Sequence, residues 1–132
     1  MNRVCTYVEQ TKKLIELGID INTADLTIID LPIQGGDRFK FISSRLPNDT
    51  FPSITDGKSE KVPAWSLGAL LGLMPTNDKK DEYYVDIESH SDYHIVSYRN
   101  CWDGCIHSEY SEESLLDAVF KMVCWLLENK KI

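Results

Sequence analysis

The chain has 132 residues, 42% of them hydrophobic, and its 21 acidic against 14 basic side chains give a net charge of −7. A chain of this length buries roughly two-thirds of its unfolded surface, so one domain over residues 1–132 is expected, with no need of a disulfide or metal for stability. The acidic balance and the scattering of Lys and Arg oppose duplex and membrane binding, because neutralising phosphates takes clustered basic side chains.

No apolar run approaches the roughly 20 residues of a membrane span, and the opening MNRVCTYVEQ lacks the apolar stretch of a signal peptide. A cytoplasmic setting is therefore expected. In it, Cys5, Cys101, Cys105 and Cys124 are reduced thiols, and the Asn48-Asp49-Thr50 sequon is a chance match.

Thr6-Tyr7-Val8-Glu9 has the form of a capping box, and Val4, Tyr7, Val8, Thr11, Leu14 and Ile15 keep helical spacing, which predicts a first helix from about Tyr7 to Leu17. Gly18 is its expected left-handed stop, with Ile19 touching Leu14. Two short strands follow, Leu26 to Leu31 and Arg38 to Ile42, separated by Pro32 and Gly35-Gly36. In the second, Phe39 and Phe41 alternate with Arg38 and Lys40 as in a half-buried strand, and the two are expected to pair as a hairpin. Residues 43–61 are polar, carry Pro47, Pro52 and Asp56-Gly57, and read as a long loop.

The segment VPAWSLGALLGLMP, Val62 to Pro75, is apolar around its circumference and bracketed by prolines. It predicts a buried helix of about two turns, in which Gly68 and Gly72 allow close approach of another helix. Glu82 to Glu88 alternates, with Tyr83, Val85 and Ile87 on one face, so the other face of this sheet is expected to meet water. Its partner, Asp92 to Arg99, is ambiguous. Pairing Glu88 with Tyr93 sets Val85 opposite Val96, Tyr83 opposite Tyr98 and Ile87 opposite His94; a connection one residue shorter or longer reverses the faces and exposes His94.

The chemically suggestive stretch is Tyr98 to His107, YRNCWDGCIH, in which two thiols and an imidazole fall within seven residues, with His90 and His94 upstream. These are the donor types zinc takes. Their spacing opposes a metal site, because Cys-x-x-x-Cys with Asp103-Gly104 before the second cysteine reads as a turn into a short final strand. A metal held here would have to draw on His94, Cys101, Cys105 and His107. No residue is assigned a catalytic, cofactor-binding or metal role, and no cofactor is expected. Gly35-Gly36-Asp37-Arg38 lacks the spacing and lysine of a phosphate loop, and DKKDE, Asp78 to Glu82, reads as a solvated turn.

The last element, Ser111 to Lys130, is the most apolar. Leu115, Val119, Met122 and Leu126 form one stripe, flanked by Leu116, Val123 and Leu127 on one side and by Ala118 and Trp125 on the other. With Phe120 the apolar arc spans roughly 220°, against the roughly 100° of an ordinary surface helix. Ser111 is the expected N-cap, with Glu112 and Glu113 in the first turn and Tyr110 stapled to Leu115. So wide an arc needs cover on two sides. Two covers are open: the Trp65 helix beside the sheet, or the second subunit of a homodimer.

The blocks VPAWSLGALLGLMP (Val62 to Pro75), YHIVSYRNCWDGCIHSE (Tyr93 to Glu109) and DAVFKMVCWLLEN (Asp117 to Asn129), preceded by the Thr6 to Gly18 helix, resemble short uncharacterised proteins encoded in phages and mobile elements of gut anaerobic bacteria. The resemblance covers most of the chain apart from residues 43–61, and it implies a shared fold and genomic setting but no activity.

The expected architecture is a single α+β domain: an antiparallel sheet of four or five strands with about three helices, the C-terminal helix central. The expected function is that of a non-enzymatic protein-interaction module with an unknown protein partner, a homodimer being open and no nucleic acid or membrane expected. The alternative is a small-ligand or enzyme site built from Tyr, His and Cys of residues 83–107 and the 43–61 loop.

Overall fold

The fold is taken from a computed structural model, which describes residues 4–32, 36, 38–44, 60–75 and 82–132. The sequon, most of the 43–61 loop, most of Gly35-Gly36-Asp37-Arg38 and DKKDE up to Glu82 lie outside these residues. The architecture is α+β. Among the described residues there are six strands in two three-stranded antiparallel sheets, rather than one sheet of four or five. The chain forms two compact units, Cys5–Ser66 and, chiefly, Leu67–Ile132.

In the first unit, helix α1 (Val8–Glu16) starts one residue later than its apparent capping box implies. The Tyr7 N–H donates to Gln10 Oε1 at 3.0 Å, so Gln10 rather than Glu9 closes the first turn. Thr6 is engaged elsewhere: its hydroxyl meets that of Thr11 at 3.0 Å and accepts the Trp65 N–H at 3.2 Å, while its own N–H donates to Trp65 O. The helix stops as expected. Gly18 has φ +90°, its N–H donates to Ile15 O, and the Ile19 N–H donates to Leu14 O, the paired bonds of a Schellman cap. Leu14 and Ile19 are both buried.

Strands β1 (Leu26–Pro32) and β2 (Arg38–Ser44) form the expected hairpin, in register from Leu26↔Ser44 to Pro32↔Arg38. The alternation in β2 does not mark a buried face, however. Phe41 and Ile42, on opposite faces, are both exposed, because β2 is an edge strand in the order β2-β1-β3.

The Val62 to Pro75 run is not one helix. Its first residues belong to β3 (Glu60–Ala64), which pairs with β1 through Leu26↔Ala64 and Ile28↔Val62. A short apolar run without alternation is compatible with either structure, and pairing with β1 decides it. Cys5, Ile28 and Ala64 form one buried apolar cluster of this unit, with Val8, Leu26 and Val62 packed on it. Trp65 is completely buried, and its Nε1–H donates to Thr23 Oγ1 at 2.9 Å. Ser66, bridged to Cys5, donates from its N–H and hydroxyl to the Asp25 carboxylate.

The second unit begins with the short helix α2 (Leu67–Leu71), in which Leu70 is buried. Among the described residues, a Cβ at Gly72, just past α2, would meet only the carbonyls of Ala69 and Gly68. Strands β4 (Tyr83–Ser89), β5 (His94–Asn100) and β6 (Ile106–Glu112) follow, in the order β4-β5-β6. The β4–β5 register differs by two residues from the one anticipated: Ser89 faces His94, Ile87 faces Val96 and Val85 faces Tyr98. A shift of two preserves the faces. His94 thus stays on the Val96 and Tyr98 side and is half-buried. The outer edge of β4 is occupied at its middle, where the Val85 N–H donates to Pro75 O at 3.0 Å.

Helix α3 (Leu115–Glu128) packs against β5, β6 and α2. Of its wide arc, Leu116, Ala118, Val119, Met122, Val123, Cys124 and Leu126 are buried, while Leu115, Phe120, Trp125 and Leu127 are half-buried. Its cap is Ser114, not Ser111: Ser114 Oγ accepts the Asp117 N–H at 3.3 Å. Ser111 and Glu112 are held in β6, opposite Ile95 and His94, and so are unavailable to start a helix. Among the described residues no helix is long and apolar enough to cross a membrane.

Candidate interaction surface

Among the described residues, the most exposed large hydrophobic side chain stands at the end of the β5–β6 hairpin. Every backbone N–H from Asn100 to Cys105 is bonded. Asn100 N–H donates to Cys105 O at 3.0 Å, Cys101 N–H to Glu82 O at 2.8 Å and Gly104 N–H to Asn100 O at 2.9 Å. Asn100 Oδ1 accepts the N–H groups of Trp102 and Asp103 at 2.8 and 3.3 Å, and Asp103 Oδ1 accepts that of Cys105 at 2.9 Å. The sequence supplies each part: Asn and Asp side chains mimic backbone acceptors in turns, and Gly104 takes φ +71°, a conformation that side chains disfavour. The product is a braced turn that holds Trp102 out from the fold, 85% exposed.

Electrostatics in the turn are mutual. The bond from the Cys105 N–H, aided by the charge of His107 nearby, holds the Asp103 carboxyl below its ordinary value of 3.8. The same carboxylate, accepting from the Cys105 thiol, pushes that thiol above its ordinary 9.0. Cys105 is exposed but its thiol is poorly disposed to ionise, which disfavours it as a nucleophile.

His107 is the extra residue of a bulge, since Tyr98 faces Ser108 while Arg99 faces Ile106. Its ring stands edge-on to Tyr83 with centroids 4.8 Å apart. Tyr83 stacks on Tyr98 at 5.3 Å, and Tyr98 lies 5.3 Å from Trp125 of α3. These contacts join sheet to helix and stiffen the base of the Trp102 turn.

The four residues named as potential metal ligands are not gathered. Cys101, half-buried, and Cys105 flank the turn, and His107 leans on Tyr83. His94 stands at the far end of β5, about 20 Å away by strand rise. There its Nδ1 is 2.9 Å from Ser89 Oγ, while His90 stacks on Tyr93 at 4.3 Å and approaches Glu88 at 3.4 Å. Among the described residues no group of three or more His, Cys, Asp and Glu is arranged to hold a metal ion.

Trp102 was not singled out by its sequence, although a signal was present. An aromatic residue directly before Asp-Gly, two positions after Asn100, sits among turn-forming residues that favour the surface. Set against protein-family models, curated proteins and solved structures, the chain matches none of them.

Proposed function

We propose that the protein is a non-enzymatic interaction module that engages a protein partner through the Trp102 end of its β5–β6 hairpin. One observation carries this reading: Trp102 is 85% exposed on a turn whose backbone donors are all bonded. An exposed indole is a large apolar surface left in water, and Trp is enriched among the side chains that dominate binding energy. A turn already fixed loses little conformational entropy on docking. The separation of His94 from Cys101 and His107 supports an interaction role over a ligand site.

The test compares wild type and Trp102→Ala as immobilised bait in lysate of the native host. The expected result is a partner retained by wild type and bound at least about thirtyfold more weakly by the variant, the effect of losing a hot spot. Retention of the same proteins by both would overturn the reading. The variant is expected to unfold at an unchanged urea midpoint, since the indole is outside the core.

A further inference from the structure

The second sheet has an unequal pair of edges. The Val85 N–H points away from β5 to reach Pro75, so Val85 and Tyr98 form a non-hydrogen-bonded pair, and Tyr98 directs its backbone groups toward β6. By alternation, Ser108, Tyr110 and Glu112 face β5, while Glu109 and Ser111 turn their N–H and C=O outward. Both residues are exposed, and among the described residues nothing bonds to those outward groups.

The side chains beside this edge have a sign. Glu112 is paired with Lys121, and Arg99 lies 3.8 Å from Asp86, which leaves Glu109 on the strand and Glu113 just beyond it as exposed carboxylates. Asp103 adds a carboxylate at the Trp102 end. Two copies each carrying a net charge of −7 repel, whereas a basic segment is drawn in.

Building on the interaction reading above, we propose that the outer edge of β6 takes up an extended basic segment of the partner as a fourth strand. Its Lys or Arg side chains lie beside Glu109 and its β-branched or aromatic ones beside Tyr110. Main-chain bonds to Glu109 and Ser111 supply the pairing, alternate side chains supply the selectivity, and Trp102 lies near the end of the added strand.

The probe is a short synthetic peptide alternating lysine with valine, titrated into the intact protein and followed by NMR. Two controls accompany it: the same peptide methylated on alternate backbone nitrogens, and one alternating glutamate with valine. The lysine peptide is expected to slow hydrogen exchange at the Glu109 and Ser111 amides, and both controls to bind much more weakly. Ser111→Pro removes an outward N–H at an edge position where proline is tolerated, so it should keep the fold and weaken the lysine peptide about tenfold or more.

Equal binding of the glutamate peptide, unchanged affinity in Ser111→Pro, or absence of protection at the two amides would each overturn the proposal. So would sedimentation showing a dimer that Ser111→Pro dissociates, which would make a second copy the occupant. If the edge fails these tests while Trp102-dependent capture persists, the interaction module stands without this partner class. If Trp102-dependent capture itself fails, that reading falls separately.

Discussion

Trp65 and Trp102 show how differently one residue type is used. Trp65 is wholly enclosed, with its ring N–H on the Thr23 hydroxyl, so Trp65→Ala is expected to cost about 3–5 kcal/mol by urea denaturation. Thr23→Val keeps the volume but leaves that N–H unpaired, at a cost of about 1–3 kcal/mol. At Asp103 the expectation concerns pH. Its folded value lies below 3.8, so the support it lends the turn is complete above that pH and is lost as pH falls through the lowered value. Trp102 fluorescence should report this transition, and Asp103→Asn should abolish it. Because the same carboxylate raises the thiol, Asp103→Asn should also speed alkylation of Cys105 near pH 8, measured by mass spectrometry; an unchanged rate would disconnect the pair.

Among the elements, α3 offers the sharpest discrimination. Ser114→Ala removes the cap and should cost about 1 kcal/mol, whereas Ser111→Ala, on the exposed edge of β6, should leave the urea midpoint almost unchanged. The reverse result would return the helix start to Ser111. Its apolar run and the stop of α1 at Gly18 were legible because each is written in consecutive residues: a periodic stripe, or a glycine followed by a hydrophobic contact. The β1–β2 hairpin was legible for the same reason. The start of α3 and the β3 segment at Val62 were not, because each depends on a remote partner, β5 for Ser111 and β1 for Val62. The two-residue slip between β4 and β5 has a related cause, since hydrophobic alternation fixes which side chains share a face but not their offset along it.

Over the whole molecule the candidate site was less legible than the fold. The Asp103-Gly104 turn was visible, but the edge position of β6 follows from strand order, which no local pattern encodes. The two sheets predict two centres of protection in native-state hydrogen exchange. β1 and β5 are flanked on both sides, so their amides should exchange most slowly, while Glu109 and Ser111 should exchange far faster than the alternating Ser108 and Tyr110. Uniform protection along β6 would contradict the assignment of its outward groups.

The bond from the Val85 N–H to Pro75 O has a consequence for stoichiometry. A sheet able to accept neighbours on both borders can be chained head to tail without limit, whereas one with a donor already engaged on one border favours growth at the other. With Val85 engaged on β4, a strand is expected to join at β6, and titration calorimetry with the lysine peptide should return a molar ratio of one. By occupying a single backbone donor, Pro75 favours a complex that terminates over a filament that grows.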